Sequence, residues 1–273
     1  MSDRTGAAPS PALLPVRALA WLGRIARARV RFLLALAALA FGVLREVLRF
    51  RSWRRTVRSE FFRALTLAVA GGLTTVLVTA VMLGLAAVYQ ALYWLTVAGQ
   101  ENLIGTLMVA VVIREVAPVL IGLILLGRGG LVVLSELGSL RATGTVGALN
   151  AMGIDPFLLL VMPRAVAFAV AAFSLGMIFV FVAFATGFAF SQMLATQPIS
   201  FLGFLDGILR AMRATDFAVF PAKLLLIGML VALVPALSAL EDIEQGWREL
   251  LPLGFIRTIL AILITSGALS LAI

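Results

Sequence analysis

The chain has 273 residues, of which 62% are hydrophobic and 13% charged, and its formal net charge is +9. A soluble domain is about half apolar and about a quarter charged, so this composition and a mean hydropathy of +1.11 exclude one and require lipid as solvent. Cysteine and histidine are both absent, which excludes disulfides, Cys/His zinc sites and catalysis by a thiol or an imidazole.

The apolar residues fall in long runs rather than in the short alternating segments of a membrane barrel. An α-helix satisfies its own backbone where no water is available, so the expected fold class is an all-α membrane protein. Residues 1–15 are rich in Pro, Ala and Ser and are expected to be disordered. A cleavable signal peptide is not expected, because arginines interrupt the first apolar run.

Residues 16–63 form an Arg-rich segment: thirteen of the 22 basic residues lie before residue 64. At 100° per residue Arg17, Arg24, Arg27, Arg31, Arg45 and Arg49 share roughly a quarter-turn sector of one helix over 16–50. The uninterrupted apolar stretch, 32–44, is too short for a hydrocarbon core that needs about 20 residues. The reading is a helix lying in the cytoplasmic interface, with Trp21 and Trp53 near headgroup level; a short first transmembrane helix is the alternative. The basic patch therefore faces an anionic membrane surface and not nucleic acid, since no soluble basic domain accompanies it.

The rest, 64–273, reads as a five-span domain with candidate spans at 65–89, 103–126, 166–190, 217–237 and 253–273. Placing the arginines in the cytoplasm makes 127–164 an inner segment carrying Arg128, Arg141 and Arg164 and puts the C-terminus outside. Tyr89, Tyr93 and Trp94 form an aromatic belt beside the first outer loop. Arg210 and Arg213 in the presumed outer loop, and acids from Glu241 to Glu249 in an inner one, run against that orientation.

Arg114 and Glu115 stand inside an apolar run, with Pro118 four residues beyond the arginine. A mid-membrane charge costs about 2.5–3.5 kcal/mol, so such residues face a cavity or a partner. Pro118 has no amide hydrogen, which frees the carbonyl of Arg114 and favours a kink. Adjacent residues point about 100° apart, so the two charges look in different directions. They either line or gate a cavity, or each pairs with another helix.

The inner segment, GRGGLVVLSELGSLRATGTVGALNAMGIDPFLLLVMPR, combines small residues with Glu136, Arg141 and the turn signal Asp155-Pro156. This suggests a short amphipathic helix, then re-entry into the bilayer. The segment either docks on another protein or forms a solvated loop, and its glycines can instead serve close helix packing. A Walker-type loop is absent, so nucleotide hydrolysis belongs to another chain; Glu241, Asp242 and Glu244 read as a solvated face.

The run from REVAP (114–118) through GRGG, SELGSLRATG, ALNAMGIDP and MPR (162–164) resembles the MlaE-type permeases, the membrane subunits of MCE-associated ABC lipid transporters. Their pattern is close to R-E-L-G-P, G-R-x-G, A-E-L-G-x-M-x-x-T-E-Q-I-x-A-L, M-G-x-D-P and P-R; FIRT (255–258) extends the likeness. The resemblance implies a homodimeric permease of the bacterial inner membrane, with cytoplasmic ATPases that carry the ATP and Mg, an outer-facing MCE-domain protein and a membrane lipid as substrate. No cofactor is implied in this chain. It further implies that Arg114, Glu115 and Pro118 lie at the lipid cavity. Within 136–156 it places a coupling helix, so that Glu136, Arg141, Thr143, Asp155 and Pro156 serve ATPase coupling. Val116-Ala117 replaces the usual Leu-Gly, and Gly144, Thr145 and Gly147 stand where the family often has acids and an amide, which makes docking more apolar or the partner divergent. An ion-coupled secondary transporter with Glu115 as proton carrier, and a non-transporting scaffold, are the competing classes.

Overall fold

The computed structural model describes residues 14–49, 53–99, 104–194, 200–240 and 247–271, and every regular element among them is helical. Among the described residues, five helices are long and apolar enough to cross a membrane: Arg55–Val97, Gly105–Ala142, Phe157–Met193, Ala214–Leu240 and Leu251–Leu271. The protein is a multi-pass membrane protein. Each expected span is present, and each of the first four is longer than its apolar run.

Helix α1 (Leu14–Val47) is not among those five. It begins at Leu14, and the remainder of the segment expected to be disordered, 1–13, lies outside the described residues. Arg27, Arg31, Arg45 and Arg49 are exposed, as the polar stripe requires, whereas the side chains of Arg17, Trp21 and Arg24 lie outside the described residues. The opposite side of α1 packs on the bundle: Val43 is buried, and Arg257 of the FIRT motif stacks on the Phe32 ring, 4.7 Å from its centroid. Trp53 is half-buried in the α1–α2 junction and its indole donates to the Val47 carbonyl.

Helix α2 (Arg55–Val97) starts inside the Arg-rich segment, so 55–63 are continuous with the first spanning helix. Nothing in RTVRSEFFR breaks a helix, and charged residues in the first turns can reach water or a partner. Tyr89, Tyr93 and Trp94 are exposed in its last turns, where a belt would stand. Ala64, Ala68, Gly72, Val76, Ala80, Gly84 and Val88 are buried at four-residue steps, a stripe of small and β-branched residues. It packs on α7 (Met162–Leu194) so closely that a Cβ on Gly84 would lie 2.2 Å from the Ala183 carbonyl oxygen. In lipid, helix association depends on such backbone approach because apolar burial no longer drives it.

The second crossing is one column: α3 (Ile104–Met108), a π-helical stretch Val109–Val116, α4 (Ala117–Leu125), a second π-helical stretch Leu126–Gly130, and α5 (Leu131–Ala142). The GRGG stretch, expected to open an inner loop, therefore lies within the helix. A Cβ on Gly129 would sit 2.5 Å from the Phe168 ring, and one on Gly130 would sit 3.1 Å from the Val231 carbonyl oxygen. Those glycines serve close packing, the alternative left open by their spacing.

Gly144 and Gly153, with φ of 73° and 72°, bracket α6 (Thr145–Ala151), which has no buried residue. The chain re-enters through a third π-helical stretch, Phe157–Val161, and α7. The presumed outer loop contains α8 (Phe201–Ala211), whose first turn is capped by Ser200 accepting from the Gly203 amide. Helices α9 (Ala214–Leu240) and α10 (Trp247–Leu271) complete the bundle, with α9 in contact with α4, α5, α7 and α10. The acids Glu241, Asp242 and Glu244 lie outside the described residues.

Gly84→Leu is expected to destabilise the α2–α7 pair by at least about 1–3 kcal/mol, the usual cost of overpacking. Gly267→Ala, at a position with nothing within 4 Å, is expected to be neutral. Thermal unfolding in detergent compares the two.

Candidate functional site

Charged residues gather at the two ends of the bundle. At the distal end, away from the α1–α2 junction, the π-helical stretch presents Arg114 and Glu115 to α9 and α10. Arg114 Nη2 meets Asp216 Oδ2 at 2.7 Å, and the Arg213 amide donates to the same oxygen at 2.8 Å. Lys223, two helical turns beyond Asp216 on α9, lies 3.6 Å from Glu115 Oε1 and donates to Ser270 Oγ of α10 at 2.5 Å. Ser270 in turn donates to Glu115. Asp216 and Lys223 are each 1% exposed, whereas 47% of the Glu115 side chain is accessible.

Pro118 explains a further contact. It cannot donate to the carbonyl four residues back, and Lys223 Nζ donates to that Arg114 oxygen at 2.5 Å. The side chains of 114 and 115 diverge as their adjacency requires, and each finds an opposite charge on α9. Pairing with another helix, one of the two readings open from the sequence, is therefore realised. Asp216 is the third residue of α9 and Ser270 is next to last in α10, while Lys223 lies two turns further into α9. Arg114 Nε and Asp216 Oδ1 are buried without a hydrogen-bond partner among the described residues.

At the proximal end, beside the α1–α2 junction, Arg164 of α7 is 4% exposed and lies 2.8 Å from Glu136 of α5. Arg63 of α2 bridges Glu60 at 3.1 Å and Glu136 at 3.3 Å. Two guanidiniums and two carboxylates thus tie α2, α5 and α7 together. Glu136, expected in the coupling segment, contributes its carboxylate to this internal network.

The other coupling candidates surround α6. Thr143 donates to the Ser139 carbonyl at 3.0 Å and shares a 2.9 Å hydroxyl contact with Thr145, closing the turn before α6. Asp155 accepts from the Phe157 amide at 2.9 Å, and Pro156 follows it into the π-helical re-entry. Arg141 lies in the last turn of α5. A groove of about 790 Å³ separates this segment from the α1–α2 junction, with the charged Glu46, Arg49, Arg54 and Asp155 and the apolar Val57, Leu158 and Leu159 in its walls.

Sequence reasoning passed over Asp216, Lys223 and Ser270. Lys223 carried a signal: it is the sole lysine and lies inside an expected span. Asp216 sat just outside the 217–237 run, and a serine in an apolar run is unremarkable. No group of three or more Asp or Glu placed to hold a metal ion occurs among the described residues.

Residues 61–271 match the family described as Permease MlaE. The chain is 28% identical over 197 residues to a probable ABC transporter permease of Synechocystis sp., covering 71% of this chain and 74% of that protein. It is 43% identical over 67 residues to a probable ABC transporter permease of Rickettsia prowazekii, 24% of this chain and 26% of that protein. It is 28% identical over 160 residues, 58% of this chain, to the chloroplast protein TRIGALACTOSYLDIACYLGLYCEROL 1 of Arabidopsis thaliana, of which the match spans 45%.

Asp216→Leu is expected to lower stability by about 3–5 kcal/mol, because it strands the Arg114 charge. The double variant Arg114→Leu/Asp216→Leu is expected to recover most of that loss. Denaturation of the parent, the single variants Asp216→Leu and Arg114→Leu, and the double variant in one detergent gives the coupling energy.

Proposed function

Because the chain belongs to the Permease MlaE family, we propose that it is the membrane subunit of an ABC transporter that moves phospholipid or a related lipid. Its partners in this reading are a second copy of itself, cytoplasmic ATPases and an MCE-domain protein on the outer side of the bacterial inner membrane. The observation that carries the ATPase partnership is α6: a seven-residue helix with no buried residue, bracketed by two left-handed glycines. A short helix whose residues all retain some exposure suits a docking element. Met152 and Ile154 beside it are exposed apolar side chains, in keeping with a contact less polar than the family pattern. The α1 arginines support placing this end at the cytoplasmic surface.

A lipid substrate is supported by the family resemblance, by the lipid in the Arabidopsis relative's name and by the half-exposed Glu115 on a spanning helix. There the carboxylate can meet a lipid headgroup, with Lys223 balancing its charge when no headgroup is present. This chain acts as a transport subunit, and ATP with its Mg is used by the ATPase. A proton-coupled transporter would need no docking helix.

Two outcomes are expected in reconstituted vesicles. Glu115→Gln should slow ATP-driven lipid transfer about tenfold, the equivalent of one lost charge-assisted contact, with the ATPase still bound. Val146→Asp on α6 should release the ATPase or leave hydrolysis insensitive to lipid. Transport by Glu115→Gln at the parental rate would remove the headgroup role. Transport driven by a proton gradient without ATP would remove the ABC reading.

A further inference from the structure

The charge pattern of the sequence places Arg128 in an inner loop, whereas the structure holds it inside the second crossing, exposed on the π-helical stretch Leu126–Gly130. Its depth follows from its neighbours. A Cβ on Gly71 would lie 3.8 Å from Arg128 Cβ, so the side chain leaves the column level with Gly71 of α2. Its Nη2 donates to Thr75 Oγ1 at 3.3 Å, one helical turn nearer the distal end. The side chain therefore runs into the bilayer and not back to the proximal surface, as a snorkelling arginine would. Gly72 faces Leu125 across the α2–α4 contact, which sets Thr75 level with Gly122; a Cβ on Gly122 would lie 3.2 Å from Ile262, at the middle of the span Leu251–Leu271. The guanidinium thus stands near mid-depth.

A cation at that depth needs an opposite charge beside it. Thr75 offers a neutral hydroxyl at the long end of hydrogen-bond distances and no charge. Among the described residues the carboxylates on the spanning helices lie at the two ends, Glu60 and Glu136 in the proximal network and Glu115 and Asp216 in the distal cluster. A second copy in the same orientation presents its acids at the same two levels, so it does not supply the balance either. There is room for another group, because a Cβ on the adjacent Gly127 would meet nothing within 4 Å. A planar guanidinium with N–H groups to spare matches the oxygens of a phosphate. Of the anions a membrane holds, the phosphate of a lipid is the one that passes this depth when the lipid crosses between leaflets. We propose that Arg128 is a mid-depth binding site for the phosphate of a phospholipid in transit, a station separate from Glu115, whose charge suits an ammonium. The assignment rests on the transport reading, since only a crossing lipid brings its phosphate to this level.

The test titrates the full chain in detergent with phosphatidylglycerol, which carries a phosphate and no ammonium, and with diacylglycerol of the same acyl chains, and counts bound lipids by native mass spectrometry. The tightest-held phosphatidylglycerol is expected to bind about tenfold better than diacylglycerol, as befits one charge-assisted contact. Arg128→Leu should abolish that preference and Arg128→Lys should keep part of it, while Arg31→Gln on α1 leaves it intact. Arg128→Leu is also expected to unfold at or above the parental temperature, because it removes an unbalanced charge from apolar surroundings. A preference that survives Arg128→Leu would overturn the assignment, as would a preference lost equally in Arg31→Gln. Unfolding of Arg128→Leu well below the parent would mark the arginine as a tie to α2 and overturn it too. Displacement of the lipid by inorganic phosphate would reveal a water-filled anion site and overturn the lipid assignment. In vesicles with the ATPase, the parental preference without any ATP-driven transfer of phosphatidylglycerol would support the site and remove the transport reading, so the two failures are distinguishable.

Discussion

An ionic side chain on a membrane helix is tolerable only when an opposite charge or a strong acceptor meets it on a neighbouring helix. Arg114 and Glu115 impose that constraint on the distal end. Because they are adjacent, they cannot neutralise each other by stacking along one face, and the chain answers with Asp216 and Lys223 spaced two turns apart on α9. Ser270 brings α10 into the same cluster. Three spans are thereby fixed in rotation as well as in position, since a helix turned by one residue would present the wrong groups. At the proximal end the quartet of Glu60, Arg63, Glu136 and Arg164 does the same for α2, α5 and α7. Between these ionic layers the contacts are apolar and close, set by small residues such as Gly84, Gly187 and Gly228.

The helical column from Gly105 to Ala142 belongs to both layers. It carries Arg114 and Glu115 near one end and Glu136 near the other, and α6 follows after a single left-handed glycine turn. A displacement at α6 therefore has a direct covalent path to the distal cluster. Two π-helical stretches, Val109–Val116 and Leu126–Gly130, lie on that path, a geometry that recurs at functional sites. A permease driven from outside the membrane needs this kind of connection, and here it runs through one spanning element.

How far the sequence foretold this depended on the range of each interaction. The spans were legible because bilayer thickness sets the length of an apolar run, and Arg114 and Glu115 were legible because nothing apolar surrounds a charge at that depth without reason. Their partners were harder. Lys223 stood in plain view, but its relation to Glu115 spans over a hundred residues of chain. The GRGG stretch looks like a loop because glycine is a poor helix former; what calls for glycine there is the Phe168 ring and the Val231 carbonyl, which leave no room for a side chain. Helix α8 escaped notice because its apolar face is short and its charges, Asp206 and Arg210, suited a loop equally well. The start of α2 at Arg55 is hidden in the sequence because arginines suit an interface and a helix start equally well; Arg63 is held there by acids on α2 and α5.

Exchange of the two charges, Glu115→Lys with Lys223→Glu, separates architecture from function most directly. The exchanged protein is predicted to unfold above both single variants but below the parent, because the sum of charges is kept while the Arg114 carbonyl loses its Lys223 donor. Its lipid transport is predicted to be lost, because the accessible group is now cationic. Single variants as stable as the parent, or an exchanged protein no more stable than they are, would contradict the claim that cross-helix charge pairing organises this end of the bundle.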